Sequence, residues 1–167
     1  MPIIDSILNE IDFELPTTLR VLERVPQEHL QWTPHAKSMS LGKLAWHIAG
    51  LPARIQVMLR EGDFDVTTAR PAEVPDQPGA IPAALRRNMD DLRAYIATLS
   101  DEALKERFTM RAGPKVLQQI PKIGVIRTIL MNHTYHHRGQ LAVYLRLLDV
   151  PVPAIYGNSA DDNPFAR

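Results

Sequence analysis

The sequence of 167 residues contains no cysteine. Disulfide bonds and thiolate metal sites are therefore excluded, because both require the sulfur of that residue. A metal ion bound by this chain must be held by nitrogen and oxygen ligands. A reaction that needs a thiol must likewise obtain it from a second small molecule.

An excess of charge of either sign is also missing. Lys and Arg together number 19, and Asp and Glu together number 19, so the formal net charge at pH 7 is zero. Nucleic-acid binding depends on an excess of positive charge. We therefore do not expect DNA or RNA as a partner.

Long apolar runs are missing as well. No stretch approaches the roughly 20 apolar residues that a membrane-spanning helix needs. The first ten residues, MPIIDSILNE, lack the basic start and the continuous apolar stretch of a secretory signal. We expect a cytoplasmic protein that does not interact with a membrane.

Four segments carry apolar side chains at steps of three and four residues, and this spacing predicts helices. The predicted helices cover residues 3–25, 41–60, 81–99 and 123–148, with Ser40 as the N-cap of the second. Pro16 falls inside the first helix, so we expect a kink or a break there. The length suits one domain over residues 1–167, and the expected fold class is an all-α four-helix bundle.

The connection between the second and third predicted helices, residues 61–79, is long. Antiparallel neighbours are normally joined by a few residues, so this length favours a long crossover that leaves helices 2 and 3 parallel. A lid over a functional site is the functional alternative, and the two roles are compatible. Residues 107–121 suggest a small hairpin or an irregular flap.

His133 and His137 lie four residues apart in the last predicted helix. The apolar steps through Ile126 and Leu130 continue onto both histidines, which places them on the buried stripe of successive turns. They could share one metal ion, or they could be core histidines bonded to backbone or carboxylate groups. A metal satisfies two buried imidazoles together, which favours the first interpretation. The zinc-protease motif is excluded, because it needs Glu directly after the first histidine and residue 134 is Thr.

Two blocks of the sequence resemble the DinB/YfiT-like superfamily, and the resemblance extends over nearly the whole chain. The blocks are HTYHHRGQ at 133–140, followed by YLR and a Pro-rich exit, and WTPH…SMSLGKLAWHIA at 32–49. The resemblance implies a four-helix bundle that holds a divalent metal ion on His47, His133 and His137, and it implies a homodimer. His136 should point elsewhere, because adjacent helical residues project about a hundred degrees apart.

The resemblance also implies an activity. Characterised members of the superfamily transfer or isomerise with a low-molecular-weight thiol, so we expect a thiol-dependent S-transferase or isomerase that acts on a small-molecule substrate. A metal-dependent hydrolase and a non-catalytic metal-binding stress-response protein stay open as alternatives. Three His ligands suit zinc or nickel first, with iron and manganese as alternatives.

The residues around the histidine pair offer no obvious general base, because no carboxylate lies one or two turns away on the same face. Gln140 is placed either to orient a metal-bound group or to make a hydrogen bond on the helix surface. We expect Arg138 to form an ion pair and Gly139 to be a close-packing position between helices.

Overall fold

The computed structural model describes residues 2–70, 73–77 and 79–166. Pro71, Ala72 and Pro78 of the long connection lie outside this range. The helices are α1 (Ile3–Leu22), α2 (Leu41–Glu61), α3 (Ala80–Ile96), α4 (Asp101–Lys105), α5 (Lys122–Gly124), a π-helix (Val125–Asn132) and α6 (His133–Leu147). Short 3₁₀ turns cover Gln27–His29 and Val66–Thr68, and the strands are β1 (Asp63–Asp65), β2 (Arg107–Ala112) and β3 (Lys115–Pro121).

The four predicted helices are present, and their apolar stripes meet in one core. Ser40 caps α2 as predicted, since its Oγ accepts a hydrogen bond from the backbone N–H of Lys43 at 3.3 Å. Of the kink or break expected at Pro16, the break is excluded, because α1 continues through this residue to Leu22. The first helix ends three residues earlier than expected, since Pro26 disfavours the helical conformation of the residue before it.

Contacts between helices define the topology of the bundle. Three pairs of residues join α2 to α3, and their numbers rise together along both helices. The pairs are Ala49 with Asn88, Gln56 with Asp91, and Arg60 with Tyr95. Helices α2 and α3 therefore run parallel, as the long crossover predicted.

The last helix runs antiparallel to α2 and parallel to α1. His47 of α2 faces His133, whereas Met39, earlier in the chain, accepts a hydrogen bond from the later Tyr144. Glu10 and Glu14 of α1 bond in turn to Tyr135 and Arg138. The bundle thus has an up–down–down–up arrangement in which α2 and α6 are neighbours.

The prediction of a purely all-α fold was wrong, because a three-stranded sheet accompanies the bundle. β2 and β3 form the predicted hairpin, and β1 adds to β2 in parallel. Gly62 makes the entry to β1 by adopting a left-handed φ of 68° at the end of α2. Arg111 then binds both Asp63 and Asp65, at 2.8 and 2.6 Å, which fixes β1 on the sheet.

The long connection packs over the start of α2. A Cβ atom on Gly42 would lie 3.0 Å from both Val74 Cγ1 and the carbonyl oxygen of Leu30. Gly42 is therefore required by the close approach of two loops, and residue 74 is held beside the first turn of α2. Within the described residues, no helix has the length and apolar character to cross a membrane.

Candidate metal centre

His47 on α2 meets His133 and His137 on α6 between the two antiparallel helices. One ring nitrogen of each can be chosen so that all three lie within 4.8 Å of one another. The ring centroids are 4.4 to 5.1 Å apart. The structure therefore brings together the three predicted histidines, and their role as metal ligands stays a prediction.

One pair of ring nitrogens has the spacing of metal ligands. His47 Nε2 and His133 Nε2 lie 3.3 Å apart. Two nitrogens that bind one zinc ion tetrahedrally, with bonds of about 2.0–2.1 Å, are separated by about 3.3–3.4 Å. The donor set, three imidazoles without a thiolate or carboxylate, also suits a divalent transition metal.

The helix that carries His133 and His137 is not α-helical throughout. Residues Val125–Asn132 form a π-helix, and α6 begins at His133 itself. A π-helix shifts the register of the residues after it relative to a continuous α-helix, and such segments occur frequently at functional sites. The π-helix thus contributes to the angle at which both histidines face α2.

Gln140 fixes the protonation of His137. Its Oε1 atom lies 2.8 Å from His137 Nδ1. A carbonyl oxygen can only accept, so Nδ1 carries the proton and the lone pair is left on Nε2. Gln140 therefore orients one of the three rings, which is neither of the two roles expected for it from the sequence.

All three imidazoles favour the neutral form. Burial lowers the pKa of His47 to about 4, with further contributions from His137, His133 and the positive charge of Arg54. Burial also lowers the pKa of His133, and it lowers the pKa of His137 against the opposing effect of the bond to Gln140. Neutral imidazole is the form that binds metal ions, so the site is prepared for a cation at neutral pH.

Arg138, next to His137, points away from the site into a second polar cluster. Its side chain is 1% exposed, and it donates to Glu14 Oε2 at 2.7 Å and to Thr18 Oγ1 at 3.0 Å. Its guanidinium also lies over the rings of Tyr135 and Tyr156. The predicted ion pair of Arg138 is confirmed, and it fixes the rotation of α6 against α1.

Other predicted positions lie outside the site. His136 is exposed on α6 and is not in the group of three, as expected, although its ring centroid lies 4.9 Å from that of His137. The prediction that Gly139 is a close-packing position was wrong, because it is exposed and a Cβ there would meet nothing within 4 Å. Within the part of the chain that the structure describes, the group contains no carboxylate.

A model of the DinB family matches residues 4–163. The chain belongs to the DinB family. The resemblance found in the sequence is therefore confirmed over nearly the whole chain.

Relatives of this DinB protein are found among curated sequences and solved structures. The uncharacterized protein YrdA of Bacillus subtilis (strain 168) is 29% identical over 167 residues, which cover 95% of this chain and 91% of YrdA. A DinB-like protein of Bacillus cereus matches with a TM-score of 0.74 at 24% identity, covering 91% of this chain and 97% of its own. YfiT of Bacillus subtilis, described as a probable metal-dependent hydrolase with an unusual four-helix bundle topology, matches with a TM-score of 0.65 at 15% identity and 88% coverage of both chains.

Proposed function

We propose that this DinB protein is a metal-dependent enzyme whose divalent ion is held by His47, His133 and His137. The observation that carries the proposal is the convergence of three neutral imidazoles at ligand spacing, without a carboxylate among them. Zinc or nickel suits this donor set first, and iron or manganese is the alternative. Three protein ligands leave coordination positions open, which is typical of catalytic rather than structural sites.

A divalent ion bound there would lower the pKa of a water or thiol that coordinates it. The chain itself supplies three neutral ring nitrogens, and Gln140 holds the proton on Nδ1 of His137 so that Nε2 faces the centre. Burial keeps the rings from taking up protons. These residues therefore bind and orient, and none is placed as a general base.

The resemblance to the superfamily favours a thiol over water as the nucleophile. A free thiol has a pKa of about 8.5, so the ion has to lower it far less than it has to lower that of water, from about 15.7 to about 7, to give an anion at neutral pH. The chain has no cysteine, so the thiol must be a cosubstrate of low molecular weight. We therefore infer thiol-dependent S-transfer or isomerisation on a small-molecule substrate.

Hydrolysis is the second candidate. The specific observation that supports it is the fold shared with YfiT, itself described as a probable metal-dependent hydrolase. Water would then take the place of the thiol at the same histidines. A protein that binds metal without turnover is the third candidate.

The three candidates are separated by one set of assays on protein purified without a histidine tag. Conjugation of a small thiol to a chromogenic electrophile, and hydrolysis of a chromogenic ester, are measured with and without added divalent metal. We expect metal-dependent conjugation that His133→Ala removes and His136→Ala retains. Metal-dependent hydrolysis alone would select the second candidate, and bound metal without either reaction would select the third.

We further infer a homodimer, from the family resemblance and from apolar side chains on the outer face of α6. Val143 and Leu147, one turn apart, are each 58% exposed. Symmetric pairing is the commonest way for soluble proteins to associate. Sedimentation at micromolar concentration should give twice the mass of the 18.8 kDa chain, and a monomer would refute the inference.

A further inference from the structure

A cavity of about 320 Å³ opens beside His47. Its walls are formed chiefly by α2, through Lys43, Trp46, Gly50 and Arg54, and by the long connection. Val74 of that connection also lines the cavity, so the crossover borders it. None of the described residues that line the cavity is acidic.

The two basic residues bracket His47 on one face of α2. Lys43 lies one turn before His47 and Arg54 two turns after it, so all three project toward the same side. The Cα atoms of Lys43 and Arg54 lie about 16 Å apart along the helix axis, because each residue of an α-helix adds about 1.5 Å. A ligand bound between the two cations would therefore pass directly over His47.

Among the described residues, both cations lack a carboxylate partner. Five other arginines pair with Asp or Glu, namely Arg93, Arg111, Arg127, Arg138 and Arg146. Within residues 2–70, 73–77 and 79–166, no carboxylate lies within 4.0 Å of Lys43 or Arg54, and both side chains are exposed.

The rest of the wall suits the apolar part of a small molecule. Trp46 is half-buried with its ring against the core. A Cβ atom on Gly50, one turn past Trp46, would meet nothing within 4 Å, so this glycine leaves space beside His47 that no packing requirement explains. Trp46 and the open helix position at Gly50 both line the cavity, between the two cations in sequence.

We propose that this cavity binds a small organic anion, with Lys43 and Arg54 as its charge partners and Trp46 and Gly50 as the floor for its apolar part. The inference rests on the proposed function in one respect, which is that the anion is taken to be the substrate of the enzyme. Its binding to the side chains is a separate property that can be measured without turnover. An anionic group held at either cation would place the apolar part of the molecule next to His47.

The test is a binding titration of the full-length protein, in metal-loaded and metal-stripped forms, followed by NMR chemical shifts of α2 amides. The probes are benzoate, its neutral analogue benzamide, and inorganic phosphate. We expect benzoate to bind about tenfold more tightly than benzamide in both forms, because a charge-assisted hydrogen bond is worth at least that factor. Phosphate, which has no apolar part, should bind more weakly than benzoate.

Charge-removing variants test the two cations. The double variant Lys43→Gln/Arg54→Gln should weaken benzoate binding about tenfold, because each single variant leaves the other cation to hold the carboxylate. In the Lys43→Gln background, Arg54→Lys should weaken binding less than Arg54→Gln. Lys115→Gln and Arg87→Gln are the matched controls, since both residues are exposed and neither lines the cavity. They should bind benzoate as the unmodified protein does.

A glycine variant tests the floor. Gly50→Leu should abolish benzoate binding while the protein stays folded, because its Cβ meets no neighbour and leucine favours helix over glycine. Gly139→Leu is the control, also at an open helical position but directed about 200° away from His137. It should leave benzoate binding unchanged.

Three results would overturn the inference: equal affinity for benzoate and benzamide, equal affinity for benzoate and phosphate, or charge variants that match their controls. Failure of the proposed function has a different outcome. A protein that binds benzoate through Lys43 and Arg54 but takes up no metal would refute the metal-dependent enzyme and leave the anion site in place. A protein that takes up metal on its histidines without discriminating benzoate from benzamide would refute the anion site alone.

Discussion

His137 and Arg138 are consecutive residues of α6, and they enter two polar clusters of opposite kind. Arg138 is almost completely buried and finds a carboxylate, a hydroxyl and two aromatic rings. His137 lies beside the imidazoles of His47, His133 and His136 and bonds to one amide oxygen. In the Arg138 cluster, the buried positive charge is balanced by a carboxylate of the protein. The histidine cluster brings together neutral electron-pair donors, and none of the described residues places a positive charge among them.

This difference indicates that the polar groups around Arg138 stabilise the bundle, whereas the histidines serve its function. A buried cation paired with a carboxylate is the expected way to satisfy a polar group in a core. Three adjacent imidazoles with lowered pKa values are expensive to assemble unless a cation completes them. The contrast therefore favours a ligand role for the histidines over the alternative that they are ordinary core residues.

Of the two polar clusters, the one around Arg138 should contribute more to the free energy of unfolding. Arg138→Ala leaves the carboxylate of Glu14, 14% exposed, without its cation and with the Tyr156 hydroxyl as its remaining donor, so the free energy of unfolding should fall by about 3 kcal/mol. Urea denaturation at pH 7 measures this change. The double variant Glu14→Leu/Arg138→Met should lose less, because no buried charge is left unpaired. Equal losses in the single and double variants would show that Arg138 acts through packing alone.

Loss of the Gln140 contact should lower the affinity for metal rather than the stability of the fold. Gln140→Leu removes the acceptor of His137 Nδ1–H, and loss of such an outer contact typically weakens metal binding about 10–100-fold. Gln140→Glu, which keeps an acceptor, should retain most of the affinity. Competition against a chromophoric chelator measures the change, with Gln118→Leu on the exposed face of β3 as control. If Gln140→Leu bound metal as tightly as the unmodified protein, the orienting role would be refuted.

The histidine cluster should make the metal-free protein sensitive to mild acid. The pKa of His47 is lowered to about 4 in the folded protein, so the unfolded chain takes up its proton first as pH falls. Its contribution to stability is therefore complete above the unfolded pKa of about 6.5 and declines toward pH 4. Urea midpoints between pH 5 and 7 should fall with decreasing pH, and His47→Gln should reduce this slope. His35→Gln, outside the cluster, should leave the slope unchanged; an equal effect of both variants would contradict the account.

The helices and the parallel pair were predictable, because apolar spacing and connection length report directly on packing. Three features were not. The strand β1 is only three residues long and depends on Arg111, which lies nearly fifty residues away in sequence. The buried residues of the π-helix recur at the spacing of an α-helix, so its sequence does not distinguish it from one. The absence of contacts at Gly139 depends on which side of α6 faces the solvent.

The site, like the fold, was predictable from the sequence only in part. Spacing alone placed His133 and His137 together, but only the resemblance connected them to His47 on another helix. The signal for Lys43 and Arg54 was present in their positions four before and seven after His47. Without the fold, these two residues read as an ordinary solvated helix face, because sequence does not show that acidic partners are missing nearby.

The most direct test of the account is the metal content of tag-free protein at pH 7, measured by inductively coupled plasma mass spectrometry. The unmodified protein and His136→Ala should each carry about one divalent ion per chain. His47→Ala, His133→Ala and His137→Ala should carry little or none after dialysis, while remaining folded by circular dichroism. Metal content that survives loss of both His133 and His137 would show that the ligands lie elsewhere and that the three imidazoles are core residues.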